Sequence, residues 1–101
     1  MISFWDRVEV PKHVLARSLE KESVLLNLEA ECYYGLDETG TRMWELFTTA
    51  PTINDAYVQL LSEFDVEAEL LRQNLSELLE RLVDNGLLRI HSANVESAPS
   101  V

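Results

Sequence analysis

A chain of 101 residues that is 47% hydrophobic and 26% charged is long enough for one modest core, so a single domain is expected. Eighteen acidic side chains against eight basic ones give a formal net charge of -10, and no segment gathers Lys or Arg densely enough to track a phosphate backbone. Nucleic acid and anionic membranes are therefore poor partners. The single cysteine, Cys32, leaves no intramolecular disulfide, and with only His13 and His91 beside it no zinc spacing arises. No metal or cofactor is expected, and a reducing cytoplasm is the simplest address. The start of the chain, Met1 to Arg7, has neither a basic leader region nor a long apolar run, and no stretch approaches the roughly 20 apolar residues of a membrane span.

Residues 1–13 carry Phe4, Trp5 and Val8 among charges and read as an N-terminal arm, either packed onto the domain by its aromatics or flexible. From His13 to Leu36 the residues turn β-branched and aromatic in three runs: Val14 to Leu19, Val24 to Leu28 and Cys32 to Leu36. The connections between them, Glu20 to Ser23 and Glu29 to Glu31, have hairpin length, so an antiparallel meander is predicted with the third strand at an edge. An edge strand has unpaired backbone groups that must be covered, blunted or used.

After Leu36 the period becomes helical. Asp37 is the cap expected for a first helix that carries Met43, Trp44 and Phe47 on one face and ends near Thr48. A second helix opens at Pro51-Thr52, where Thr52 and Asp55 resemble a capping box with a shorter acid. Its apolar face runs through Ile53, Ala56, Tyr57, Leu60, Leu61 and Phe64. The third helix starts after Asp65 with Glu67 and Glu69 in its first turn, and Asn85-Gly86 supplies the left-handed stop. Its apolar set, Leu70, Leu71, Leu75, Leu78, Leu79, Leu82 and Val83, covers an arc wider than one contact surface needs. Leu87 to Ile90 is a short extended stretch, and 91–101 reads as a flexible tail. The predicted class is α+β and winged-helix-like: a three-stranded antiparallel sheet followed by three helices.

Catalytic chemistry needs convergent groups, and the sequence offers few. Cys32 lies within a strand with no histidine in a motif beside it, so it reads as a structural thiol and no catalytic residue is assigned. The acids of the third helix follow its solvent face and ends. Winged helices bring DNA to mind, but Asp37 to Asp84 holds 11 acids against Arg42, Arg72 and Arg81, which would repel a duplex. There remains the edge of the third strand beside the long helix, where an extended peptide could add as a fourth strand. The competing reading has the arm or Leu87 to Ile90 covering that edge, with every helix leucine in the core. The residues alone leave both open.

The strings Val24-Leu25-Leu26-Asn27-Leu28 and Tyr33-Tyr34-Gly35-Leu36-Asp37-Glu38-Thr39-Gly40-Thr41-Arg42-Met43-Trp44-Glu45-Leu46, with Asn85-Gly86-Leu87-Leu88, resemble the PqqD-like family, which includes the precursor-peptide recognition elements of ribosomally made, modified peptides. The likeness spans roughly 14–90, taken as the peptide-binding domain, with Asp37 where the family more often has Asn. What the resemblance implies is a stand-alone adaptor, not an enzyme, that binds the leader segment of a precursor peptide. A separate radical-SAM maturase or leader peptidase would then act on the bound substrate. The implied groove strand is Cys32, Tyr33, Tyr34 and Gly35, faced by Leu71, Asn74, Leu75 and Leu78. Strand alternation puts Tyr34 and Leu36 toward the core, and Arg72 and Arg81 are candidates to meet acidic leader side chains. A generic protein-interaction domain is the alternative, and the edge strand also allows a homodimer.

Overall fold

The structure, a computed structural model, describes residues 3–91. Met1, Ile2 and the expected tail beyond His91 lie outside the described residues. Eight elements follow in order: β1 (Arg7–Glu9), β2 (Val14–Leu19), β3 (Glu22–Asn27), β4 (Cys32–Leu36), α1 (Glu38–Thr49), α2 (Ile53–Glu63), α3 (Ala68–Asp84) and β5 (Arg89–His91). The fold is α+β, with an antiparallel meander β2-β3-β4 leading into three helices. The third predicted strand is β4, and it stands at the sheet edge.

The first hairpin is tighter than its sequence suggests. Leu19 pairs with Glu22, so only Glu20 and Lys21 form the turn and β3 begins two residues before Val24. Glu20 adopts a φ of 61°, the positive value that lets a two-residue turn match the twist of its strands. Along β3 the side chains alternate: Ser23, Leu25 and Asn27 are buried toward the helices, and Val24 and Leu26 are half-buried on the outer face.

The helices start and stop where local chemistry directs. The Asp37 carboxylate accepts the Gly40 N–H at 2.8 Å at the start of α1. Thr52 Oγ1 accepts the Asp55 N–H at 3.2 Å and donates to the Asp55 carboxylate at 2.8 Å, so the shorter acid binds the capping hydroxyl itself. The next two exposed donors of α2 are satisfied from the N-terminal segment: Ile53 N–H donates to the Asp6 carbonyl at 3.0 Å and Asn54 N–H to the Phe4 carbonyl at 2.6 Å. Phe4 itself is buried, edge-on to Tyr57 at 5.4 Å, while Trp5 is exposed.

The same segment continues into β1, which pairs with β5 in a separate two-stranded ribbon, Val8 opposite Ile90. A hydrogen bond from the His91 ring holds the Glu9 carboxyl below its ordinary range and ties the ribbon together. Since arm and C-terminal strand pair with each other, neither covers β4.

One helix start differs from expectation. Glu67 is the N-cap of α3 and not part of its first turn, and its side chain makes no capping bond, leaving Glu69 to meet the helix dipole. The other end stops as expected. Leu87 N–H donates to the Leu82 carbonyl at 2.8 Å and Gly86 N–H to the Val83 carbonyl at 3.0 Å, the paired bonds of a Schellman motif, with Gly86 at a φ of 71°.

Asn27 locks this helix end to the sheet. Its amide Nδ2 donates to the Asn85 carbonyl at 3.0 Å, and its Oδ1 accepts the N–H groups of Glu29 and Ala30 at 3.1 and 3.0 Å in the β3–β4 turn. At 5% exposure, those bonds are shielded from water. A second buried link, Ser23 Oγ to Thr41 Oγ1 at 2.8 Å, joins β3 to α1. Between these ties the core is filled by Leu25, Leu36, Trp44, Phe47, Ile53, Leu60, Leu75, Leu79 and Leu82. Replacing Asn27 by Ala leaves the Asn85 carbonyl and two turn N–H groups without this partner. Urea unfolding is expected to show a loss of about 2–4 kcal/mol.

Candidate functional site: the free edge of β4 and an adjoining hollow

The phase of the backbone ladder settles what β4 offers. Leu28 N–H donates to the His13 carbonyl at 2.8 Å, and bonded and non-bonded pairs alternate along an antiparallel ladder. The bonded pairs of β2 and β3 are therefore Leu15 with Leu26, Arg17 with Val24 and Leu19 with Glu22. Ser23, Leu25 and Asn27 consequently turn their backbone groups to Leu36, Tyr34 and Cys32 of β4. The N–H and C=O groups of Tyr33 and Gly35 point away from the sheet, along an edge that no described residue pairs.

Side chains alternate across this strand as expected. Leu36 is buried and Tyr34 half-buried against the core, whereas Tyr33 is 76% exposed on the outer face beside exposed Gly35. Cys32 is exposed at the start of the strand.

Beyond the Leu36 end of β4 lies an open apolar hollow of about 360 Å³. Thr39 and Met43 of α1 form one wall, Phe64 and Val66 the floor of the α2–α3 connection, and Leu70, Leu71 and Asn74 the α3 side. Glu63 and Asp65 give it an acidic rim.

The rotation of α3 corrects the expected groove. Leu75 is 0% exposed and Leu71 and Leu78 are also buried, all three facing the core. Leu71 still contributes to the hollow from below. The outward stripe is displaced by one residue, to Leu70, Asn74, Glu77 and Arg81, which lie three or four apart on the helix surface. Asn74 alone of the four helix residues expected in the groove is exposed. Leu70, 50% exposed, and Val66 were legible only as apolar residues with no assigned side. A charge at Leu75 would enter the core and unfold the domain, so it cannot probe the surface.

Arg72 is likewise placed elsewhere. Its guanidinium stacks over the Phe4 ring at 4.0 Å and approaches Tyr57 at 5.7 Å, clamping the N-terminal segment on the far side of α3 from the hollow. Arg81 is exposed in the last turn.

The rim is held by a fork of hydrogen bonds. Arg42 donates through Nε and Nη2 to the two Glu63 oxygens at 2.8 and 2.6 Å, and through Nη1 to Glu45 at 3.0 Å. This pins the end of α2 to α1.

The family model for coenzyme PQQ synthesis protein D (PqqD) matches residues 22–88, from the first residue of β3 to the residue before β5. The chain belongs to the PqqD family. No curated protein matches this PqqD-family sequence. Two solved structures have its fold. TbiB1 in complex with the TbiA(beta) leader peptide is 26% identical, with a TM-score of 0.76 over 80% of this chain and 94% of that one. Lasso peptide synthetase B1 complexed with the leader peptide is 19% identical, with a TM-score of 0.74 over 82% and 98% of the two chains. Among the described residues, no helix is long and apolar enough to cross a membrane.

The Arg42 fork lowers the Glu63 pKa from 4.5 to about 2. A depressed carboxyl pKa stabilises the fold above the unfolded value, and that contribution fades as pH falls through the folded one. The Tm difference between the wild type and Glu63→Gln, followed by circular dichroism, should be full above pH 4.5 and closed near pH 2. High salt should shrink it, because the pair is partly solvated.

Proposed function

We propose that this chain binds the leader segment of a ribosomally synthesised precursor peptide by strand addition along β4 and presents it to a separate modifying enzyme or leader peptidase. The observation that carries this reading is the unpaired backbone edge at Tyr33 and Gly35; the apolar hollow between α1 and α3, whose lining begins at Thr39 three residues after β4, supports it. It is supported by likeness to TbiB1, whose structure holds a leader peptide. Backbone bonds along the edge supply affinity for any extended chain, and the hollow adds selectivity for an apolar residue.

The leader-contacting surface on this reading is Cys32, Tyr33, Tyr34 and Gly35 of β4 with Leu70 and Asn74 of α3, underlain by Leu71. The chain acts as an adaptor in the cytoplasm and carries out no chemistry. Holding the leader raises the effective concentration of the attached substrate at the partner's active site and orients it there. Neither nucleic acid nor membrane enters this role, since net charge -10 repels both anionic surfaces.

Calorimetric titration with a synthetic leader, taken from the precursor encoded beside the gene, tests the reading. Wild-type protein should bind saturably. Leu70→Glu should keep its circular dichroism spectrum and bind about tenfold more weakly or worse, the equivalent of losing one buried aliphatic contact. Unchanged affinity in that folded variant would remove the hollow from the site. Absence of saturable binding by folded wild type would leave a general protein-interaction domain as the better account.

A further inference from the structure

The chain has three glycines, and two have reasons inside the fold. Gly86 takes a φ of 71°, and a Cβ there would lie 2.9 Å from Asn27 Nδ2. Gly40 is closed in by Leu36 and the capping carboxylate of Asp37, at 3.2 and 3.3 Å from a Cβ. Gly35 has neither constraint: its φ is not positive, and a Cβ on it would meet nothing within 4 Å. It nevertheless sits inside β4, where a glycine forgoes side-chain packing and costs backbone entropy. A bare position on a free edge is what the close approach of another chain requires.

We infer that Gly35 is a specificity residue, keeping the outer face of β4 clear for an aromatic side chain of the bound leader. The inference rests on the leader-binding reading and deepens it. A residue added opposite Gly35 presents its side chain on the same face as Gly35 and Tyr33, whichever way the leader runs. The next residue across the sheet is Val24 of β3, paired with Gly35 and half-buried. Strands lie about 4.8 Å apart, so the added backbone is roughly 9–10 Å from Val24. An aromatic ring laid over Gly35 spans that gap and meets Val24, with Tyr33 beside it on the same face. A leucine is too short to reach across, and any branched side chain at position 35 would lift the ring off the sheet.

The test titrates wild type, Gly35→Ala and Gly35→Val with the synthetic leader of the precursor encoded beside the gene. Matching peptides have each leader aromatic replaced by Ala in turn. Gly35→Val should fold, melt higher than wild type, and bind the leader about tenfold more weakly, with Gly35→Ala between the two. One aromatic-to-Ala leader should bind wild type about tenfold more weakly and lose nothing further on Gly35→Val, because both changes remove the same contact. Equal leader affinity for wild type and Gly35→Val overturns the inference. So does a lower melting temperature of Gly35→Val, which would reveal an internal reason for the glycine, or independent losses for every aromatic. If wild type binds no leader, the leader-binding reading itself fails, a result distinct from all of these.

Discussion

Asn27 is where the sheet, the second hairpin and the long helix meet. One side chain closes the β3–β4 turn through its oxygen and grips the end of α3 through its nitrogen. Because the same amide serves both, the start of β4 and the end of α3 cannot shift independently. Gly86 completes the arrangement from the other side: only a residue without Cβ lets the Asn27 amide come this close, and only a residue tolerant of positive φ ends the helix there. His13, whose Nε2 lies 3.2 Å from the Gly86 carbonyl, ties the turn before β2 to the same junction. The placement of the end of α3 against β3 thus depends on a few buried polar contacts, with the leucine core supplying cohesion.

With α3 held in place, the free edge becomes usable. An unpaired strand attracts other strands without discrimination, and exposed edges usually need charge or cover. Here β4 is five residues long and is flanked by Glu31 and Asp37 on a strongly acidic chain. Two copies approaching edge to edge bring like charges together, which opposes self-pairing while leaving an extended peptide free to add. The β1–β5 ribbon matters for the same reason. By pairing with each other, the two terminal strands satisfy their own backbone groups and leave β4 open.

Much of this was readable from residue order. The meander, the three helices, the Asp37 and Thr52 caps and the Asn85-Gly86 stop follow from local rules: alternation of apolar residues, helical spacing, and side chains that bond their own backbone. The family likeness carried by the Tyr-Gly-Leu-Asp block likewise rests on local order. The tight Glu20-Lys21 turn was missed because no Gly or Asn marks it. The extended stretch that contains most of β5 was legible, but β1 and its pairing with β5 were missed, because a contact between three-residue strands so far apart in the chain leaves no periodic signal.

The sequence by itself determined which segments become most of the strands and the helices, and that the chain carries a strong net negative charge, since both depend on neighbours in the chain or on totals. Only the tertiary structure decided which face of α3 looks outward. An apolar arc that includes both Leu70 and Leu75 fits several rotations, and the packing of Leu75 against the sheet and helices selects one, displacing the outward stripe by a residue. It also decided that Arg72 stacks on Phe4, and that a Cβ at Gly35 would meet nothing of its own protein. Such facts concern what lies across space from a residue, and spacing along the chain carries no record of that.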